Sequence, residues 1–160
     1  MHSKLHGLDA GLHRRLVDSL YVEAMVMADE ARAYFDRAGA ADREALEPMA
    51  RILFSCESLK VTTRLMHVIA WLLAHRAWQR GEIDSDALAD ERFRLGEAAA
   101  TEADGISQFP FPARSLINAS MDLYDRVARF EARMLAGRSG APGDARSPTH
   151  ALIDRLARSL

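Results

Sequence analysis

The chain has 160 residues, 49% of them hydrophobic and 28% charged, with a formal net charge of -2. That is the length of about one domain, and the near-neutral balance gives no global electrostatic reason to bind nucleic acid or an anionic membrane. Its single cysteine, Cys56, excludes an intrachain disulfide.

Apolar residues recur at helical spacing from Leu16 through Val17, Leu20, Tyr21, Ala24, Met27, Ala28, Ala31 and Tyr34 to Phe35. They predict a first helix over 12–38, or from as early as Asp9. Gly39 can stop it with a positive φ, and Asp42 can cap the next helix. A second helix is expected over 43–80, stopped by Gly81; Pro48, which lacks the backbone donor, either starts the helix proper or bends it, and one long bent helix is the preferred reading. A turn at 39–42 makes the two helices antiparallel neighbours. Val17 would then lie near Arg64, and 69–78 would project past the first helix.

Within the second helix, 58–78 reads SLKVTTRLMHVIAWLLAHRAW and is apolar on more than one face. One line runs Leu59, Thr63, Met66, Ala70, Leu73, Ala77; another runs Val61, Leu65, Val68, Leu72. A helix with one wet face shows a single apolar stripe, so this one needs cover from two sides, inside the chain or from a second copy. Arg64 and Arg76 argue against a membrane span, and 65–74 is short of the ~20 residues a span needs.

The segment 81–111 is less regular. Ser85 can cap a short helix over 86–96, and 97–108 is Ala-rich and acidic. The run Phe109-Pro-Phe-Pro112 reads as a stiff lead into the next helix with both Phe rings in the core; the sharper alternative is an exposed recognition motif. A third helix is expected over 112–136, with a stripe of Leu116, Ser120, Leu123, Val127, Phe130 and Met134 and a stop at Gly137. Residues 138–148 read as a flexible linker. Residues 149–160 read as a short amphipathic helix, with Leu152, Ile153, Leu156 and Leu160 on one side. The expected fold is therefore all-α, an antiparallel three-helix bundle over 1–137 with a long central helix, dimeric through that helix or the residues packed beside it.

Chemistry-bearing motifs are sparse. The six His residues, His2, His6, His13, His67, His75 and His150, include no HExxH and no Glu-x-x-His pair, the spacings that zinc proteases and di-iron bundles use. There is no CxxC, no phosphate-binding glycine loop and no nucleophile elbow. The reading is a non-enzymatic protein without cofactor or metal. No apolar run follows Lys4, so no signal peptide is expected, and the protein is read as cytoplasmic. Arg64, set among apolar neighbours, should pair with a carboxylate, with Asp18, Glu23, Asp122 and Asp125 in plausible reach; its alternative role is to bind a partner. Arg126, Arg129 and Arg133, spaced with Asp122 and Asp125, read as a solvated face.

Two blocks resemble a known family. ESLKVTTRLMHVIAWLLAHRA at 57–77, followed by GEI at 81–83, is similar to the central helix of the DUF1465 family. FPARSLINASMDLYDRVARF at 111–130 is similar to its last helix. The likeness covers about 20–135. The family includes the regulator of CtrA degradation. The resemblance implies a dimeric three-helix bundle and a non-enzymatic accessory role in delivering cell-cycle regulators to the ClpXP protease. The implied partners are a second copy, the ClpXP system and a protein substrate, with no nucleic acid and no membrane. Arg64, Trp71 and Arg76 fall within the matching block, and with Leu152, Ile153 and Leu156 they are the candidate partner-binding or interface residues. The alternative is a small-ligand-binding helical bundle with a pocket near Trp71, Trp78, Phe109 and Phe111.

Overall fold

A computed structural model describes the backbone of residues 2–139 and the side chains of residues 10–137. The described residues are helical and contain no strand. The helices are α1 (His2–Ala33), α2 (Gly39–Glu44), α3 (Pro48–Gln79), α4 (Ser85–Leu88), α5 (Ala103–Ile106) and α6 (Phe111–Ser139), with a π turn over Tyr34–Ala38 and a 3-10 turn over Glu91–Phe93. None of the described helices is long and apolar enough to cross a membrane. Compactness divides the chain into Met1–Ala128 and Arg129–Leu160. In the second unit α6 runs on through Gly137 to Ser139, so the stop expected at Gly137 is absent and helix continues two residues into the expected linker. The rest of that linker and the amphipathic segment 149–160 lie outside the described residues.

In the first unit, α1 buries Val17, Leu20, Ala24, Met27 and Ala31, a strict 3-4 alternation. α6 buries Ala113, Ile117, Ser120, Leu123 and Val127. α3 buries residues on two sides, among them Phe54, Val61, Leu65, Val68, Trp71 and Leu72.

The first reversal of the chain falls later than the sequence suggests. Gly39 has φ -68 and continues the helix, with its N–H bonded to Tyr34 O. That five-residue return is the π turn, and it lets both Tyr34 and Phe35 meet the ring of Phe54. Asp42 caps nothing; its carboxylate accepts the Tyr34 hydroxyl at 2.7 Å. The break comes between Glu44 and Pro48, where Pro48 takes the first helical position behind an extended Glu47. There its missing N–H costs nothing, so it starts α3 rather than bending a longer helix. Arg51 Nε closes the corner on Leu46 O at 2.8 Å.

Moving the turn moves the register. Gln79 bonds His13 at 2.8 Å, Arg76 pairs with Asp18 at 3.5 Å, and Phe54 packs on Phe35. α1 therefore reaches the last turn of α3, and the projection expected for 69–78 does not exist. Gly81, at φ +74, does stop α3. Its N–H bonds Trp78 O and that of Glu82 bonds Ala77 O, the paired bonds of a Schellman motif. Asp84, not Ser85, caps α4, accepting Ala87 N–H at 2.7 Å, and α4 is only one turn long.

The π turn makes a prediction whose sign is unusual. Replacing a glycine inside a regular α-helix by alanine stabilises by up to ~1 kcal/mol. A Cβ on Gly39 would sit 2.8 Å from Tyr34 O, the carbonyl to which its own N–H bonds. Gly39→Ala should therefore lower the urea midpoint. A raised midpoint would mean that the turn relaxes to ordinary α-helix.

Candidate functional site

Three features of the first unit could carry function, and α3 contributes to all of them. The first is internal. Glu57, Lys60, Arg64 and His67 follow each other at helical spacing on α3, and the extended chain at 96–101 lies across them. Lys60 Nζ donates to Ala100 O at 2.9 Å and to Glu57 Oε1 at 2.9 Å. Arg64 is 2% exposed. It donates to Ala99 O at 3.0 Å, Thr101 Oγ1 at 2.5 Å and Ser120 Oγ on α6 at 3.3 Å. The Thr101 hydroxyl in turn donates a hydrogen bond to Glu57 Oε2 at 2.6 Å. Gly96 lies so close to the His67 ring that a Cβ would be 2.2 Å from Nδ1, and Tyr124 of α6 donates to Gly96 O at 2.6 Å.

Arg64 thus bonds hydroxyls and a carbonyl rather than the carboxylate expected for it. Burial pushes its guanidinium pKa down, and the charges of Glu57 and Asp125 oppose that. The four carboxylates proposed from sequence do not bond it; Glu23 and Asp122 bind Arg126, and Asp18 binds Arg76. The Glu23 bonds push the Arg126 guanidinium further up. Sequence reading missed Glu57 and Thr101. The signal for Glu57 was there, a polar line at heptad spacing along a helix otherwise apolar all round.

The second feature lies where α1 meets the end of α3. Trp71 is 2% exposed and stacks on His75 with ring centroids 3.7 Å apart. His13 sits against His75 and edge-on to Trp78. Burial lowers the His13 pKa from its ordinary value of 6.5. Arg76 pairs with Asp18 and lies over the Tyr21 ring, 4.3 Å from its centre. Phe109 packs edge-on against Phe54 at 5.4 Å, while Phe111 is 71% exposed. Only one of the two Phe rings expected in the core is there. Phe54 and Trp71 are ~25 Å apart along α3, so Trp71, Trp78, Phe109 and Phe111 do not gather around one pocket.

The third feature faces outward. Met49, Ile52, Cys56, Leu59, Thr63, Met66, Ala70 and Leu73 are all exposed, and their spacing alternates strictly between three and four. Met49, Leu59 and Met66 each leave about two thirds of their surface open, at 68%, 66% and 65%. The line is ~36 Å long at 1.5 Å per residue. It contains the first of the two apolar lines read from sequence up to Leu73, with Ala77 only half-buried beyond it; the second, Val61 to Leu72, is the buried one. A groove of about 420 Å³ runs alongside it, walled by Ala28, Ala31 and Phe35 on one side and Leu59, Met66 and Ile69 on the other. Leu152, Ile153 and Leu156 lie outside the described residues. Among the described residues no cluster of three or more His, Cys, Asp or Glu could hold a metal ion.

With this geometry in hand, the sequence model of DUF1465, "Protein of unknown function", matches residues 8–160. The chain belongs to the DUF1465 family. Among solved structures it is similar to RcdA from Caulobacter crescentus, with 34% identity, a TM-score of 0.61, and coverage of 74% of this chain and 90% of that one. None of the curated proteins matches it.

Two measurements follow from the internal bonds. Thr101→Val keeps the shape but removes the hydroxyl between Arg64 and Glu57, leaving buried charges short of a partner. It should cost ~1–3 kcal/mol in urea unfolding; an unchanged midpoint would show that water replaces the hydroxyl. His13 gives a pH dependence. Its folded pKa lies below the unfolded 6.5, so between those values the unfolded chain binds more protons. Its contribution to stability is intact above pH 6.5 and is lost as pH falls toward the folded pKa. The thermal midpoint of the wild type should drop over that window by more than that of His13→Gln; parallel curves would contradict it.

Proposed function

We propose that this protein is a non-enzymatic, dimeric adaptor in regulated proteolysis, which brings cell-cycle regulators to the ClpXP protease in the cytoplasm. Kinship with RcdA supports the pathway, and the exposed line on α3 is the observation that supports the dimer. An apolar line this long and regular is costly to leave in water, and lines of this kind normally mark an interface. In our reading α1, α3 and α6 form an antiparallel three-helix bundle, and two bundles pair through α3.

The spacing suits an antiparallel pair about a two-fold axis near Val61. Such a pair sets Leu59 opposite Thr63, Cys56 opposite Met66 and Ile52 opposite Ala70, a large side chain against a small one in these three, with Met49 opposite Leu73 at the two ends. That is how facing helices interdigitate, and a two-fold interface must be complementary to itself. The groove beside Leu59 and Met66 can take side chains of the second copy.

In this reading Arg64 and Trp71 support the α3 surface from within, and Arg76 is a surface contact. The apolar side of the terminal segment, with Leu152, Ile153 and Leu156, is assigned to cargo or protease contact, because a tethered segment can reach a partner that a rigid body cannot.

Leu59→Glu with Met66→Glu tests the dimer. Light scattering should give the mass of two chains for the wild type and one for the variant, with helicity unchanged. A wild type that stays monomeric at near-millimolar concentration would contradict it. Protein turnover across the proteome tests the pathway. Cells lacking the protein should show longer half-lives for a small set of regulators, the same set that an inactivated ClpP trap captures when it is present. A chain ending at residue 138 should dimerise but fail to restore those half-lives. If no half-life changes, the adaptor reading fails.

A further inference from the structure

Away from the exposed line, a cavity of about 400 Å³ is lined by Arg14 and Asp18 of α1 and by Arg76, Gln79 and Arg80 at the end of α3. Its size is that of a small-ligand site, roughly 300–1,000 Å³, but such sites are mostly apolar, and this one is walled by charge. Two of its donors are braced. Arg76 is held by Asp18 at 3.5 Å and by the Tyr21 ring at 4.3 Å, and the Gln79 amide is held by His13 Nδ1 at 2.8 Å. Arg14 and Arg80 form no ion pair among the described residues.

The contrast with the other arginine-rich point of the unit is informative. Arg126 sits between two carboxylates, Glu23 and Asp122. Here three guanidiniums share one carboxylate, which leaves two positive charges uncompensated. The negative end of α3 is partly spent as well, since the carbonyls of Ala77 and Trp78 accept the Schellman bonds. Guanidinium forks match phosphate oxygens two bonds at a time, and a phosphate monoester carries about -1.5 to -2 charges, close to the excess.

We propose that this cavity binds the phosphate group of a small phosphorylated molecule, with Arg76 and Gln79 as fixed donors and Arg14 and Arg80 closing on the anion. The site is an open pocket with Arg14, Asp18 and Arg80 exposed, and three guanidiniums lining a single pocket suit one concentrated charge better than the run of single charges along an acidic peptide. The inference does not depend on the adaptor reading, because the cavity is internal to one chain.

Calorimetric titration of the full chain tests it, with inorganic phosphate, pyrophosphate, adenosine triphosphate and hexaglutamate as probes. Wild type should bind at least one phosphate probe at a single site, at least tenfold more tightly than hexaglutamate, and less tightly as salt rises. Tighter binding of the nucleotide than of pyrophosphate would make a nucleotide the source of the phosphate; equal binding would make it the free anion. Arg14→Gln with Arg80→Gln should weaken binding at least tenfold at an unchanged thermal midpoint. No binding of any phosphate probe at millimolar concentration, equal binding by the double variant, or tighter binding of hexaglutamate would each overturn the proposal.

Discussion

The structure of the first unit depends on a polar line inside an apolar helix. Glu57, Lys60, Arg64 and His67 occupy one side of α3, and none of the charged three can be left facing hydrocarbon without partners. The chain at 96–101 supplies those partners through two carbonyls and one hydroxyl, and Ser120 of α6 supplies another hydroxyl. A segment with no regular hydrogen bonding of its own is thereby held in place, and in return it covers a side of α3 that no long helix could satisfy. Each half of the arrangement needs the other. The loop has polar backbone to offer, and the helix has buried charge that requires it.

With α1 on one side of α3 and the loop and α6 on another, the remaining side is fixed by elimination. It is the line from Met49 to Leu73. The α3 sequence is apolar nearly all round because it serves three surfaces, two of them inside the unit and one open. Periodicity alone cannot tell which of two apolar lines is the open one, since both repeat at the same spacing. The choice is made by the polar line, which sets the rotation of α3 about its axis.

Much of the architecture was legible in the sequence. The all-helical class, the buried stripe of α1, the middle of the α6 stripe at Ser120, Leu123 and Val127, the stop at Gly81 and the need of α3 for cover on more than one side follow from periodicity and from glycine chemistry; Leu116, Phe130 and Met134 of the expected α6 stripe are only half-buried, and Ala113 and Ile117 are buried instead. The corner between α1 and α3 was not legible. Gly39 has the chemistry of a helix stop and Asp42 that of a cap, yet the Tyr34 hydroxyl claims Asp42 and a π turn absorbs Gly39. The signal that decides the corner is Pro48, which is read as a bend in a long helix but suits a first helical position as well, and packing chooses the second. That choice shifts the pairing of α1 and α3 by about three turns. It removes the projection expected for 69–78, so that the exposed line on α3 is what calls for a second copy. Arg64 was legible as a buried residue in need of partners. That those partners would be Ala99, Thr101 and Ser120 was not, because loop carbonyls leave no trace in composition.

In the proposed dimer a second copy covers the exposed line on α3 in solution. The chain's one cysteine lies within that line and is exposed in the single chain, so its thiol reports on that cover without any substitution in the wild type. The rate at which Cys56 reacts with a small disulfide reagent should fall as protein concentration rises, and Leu59→Glu with Met66→Glu should restore the fast rate at every concentration. A wild-type rate that equals the variant's, from nanomolar to near-millimolar protein, would contradict the account.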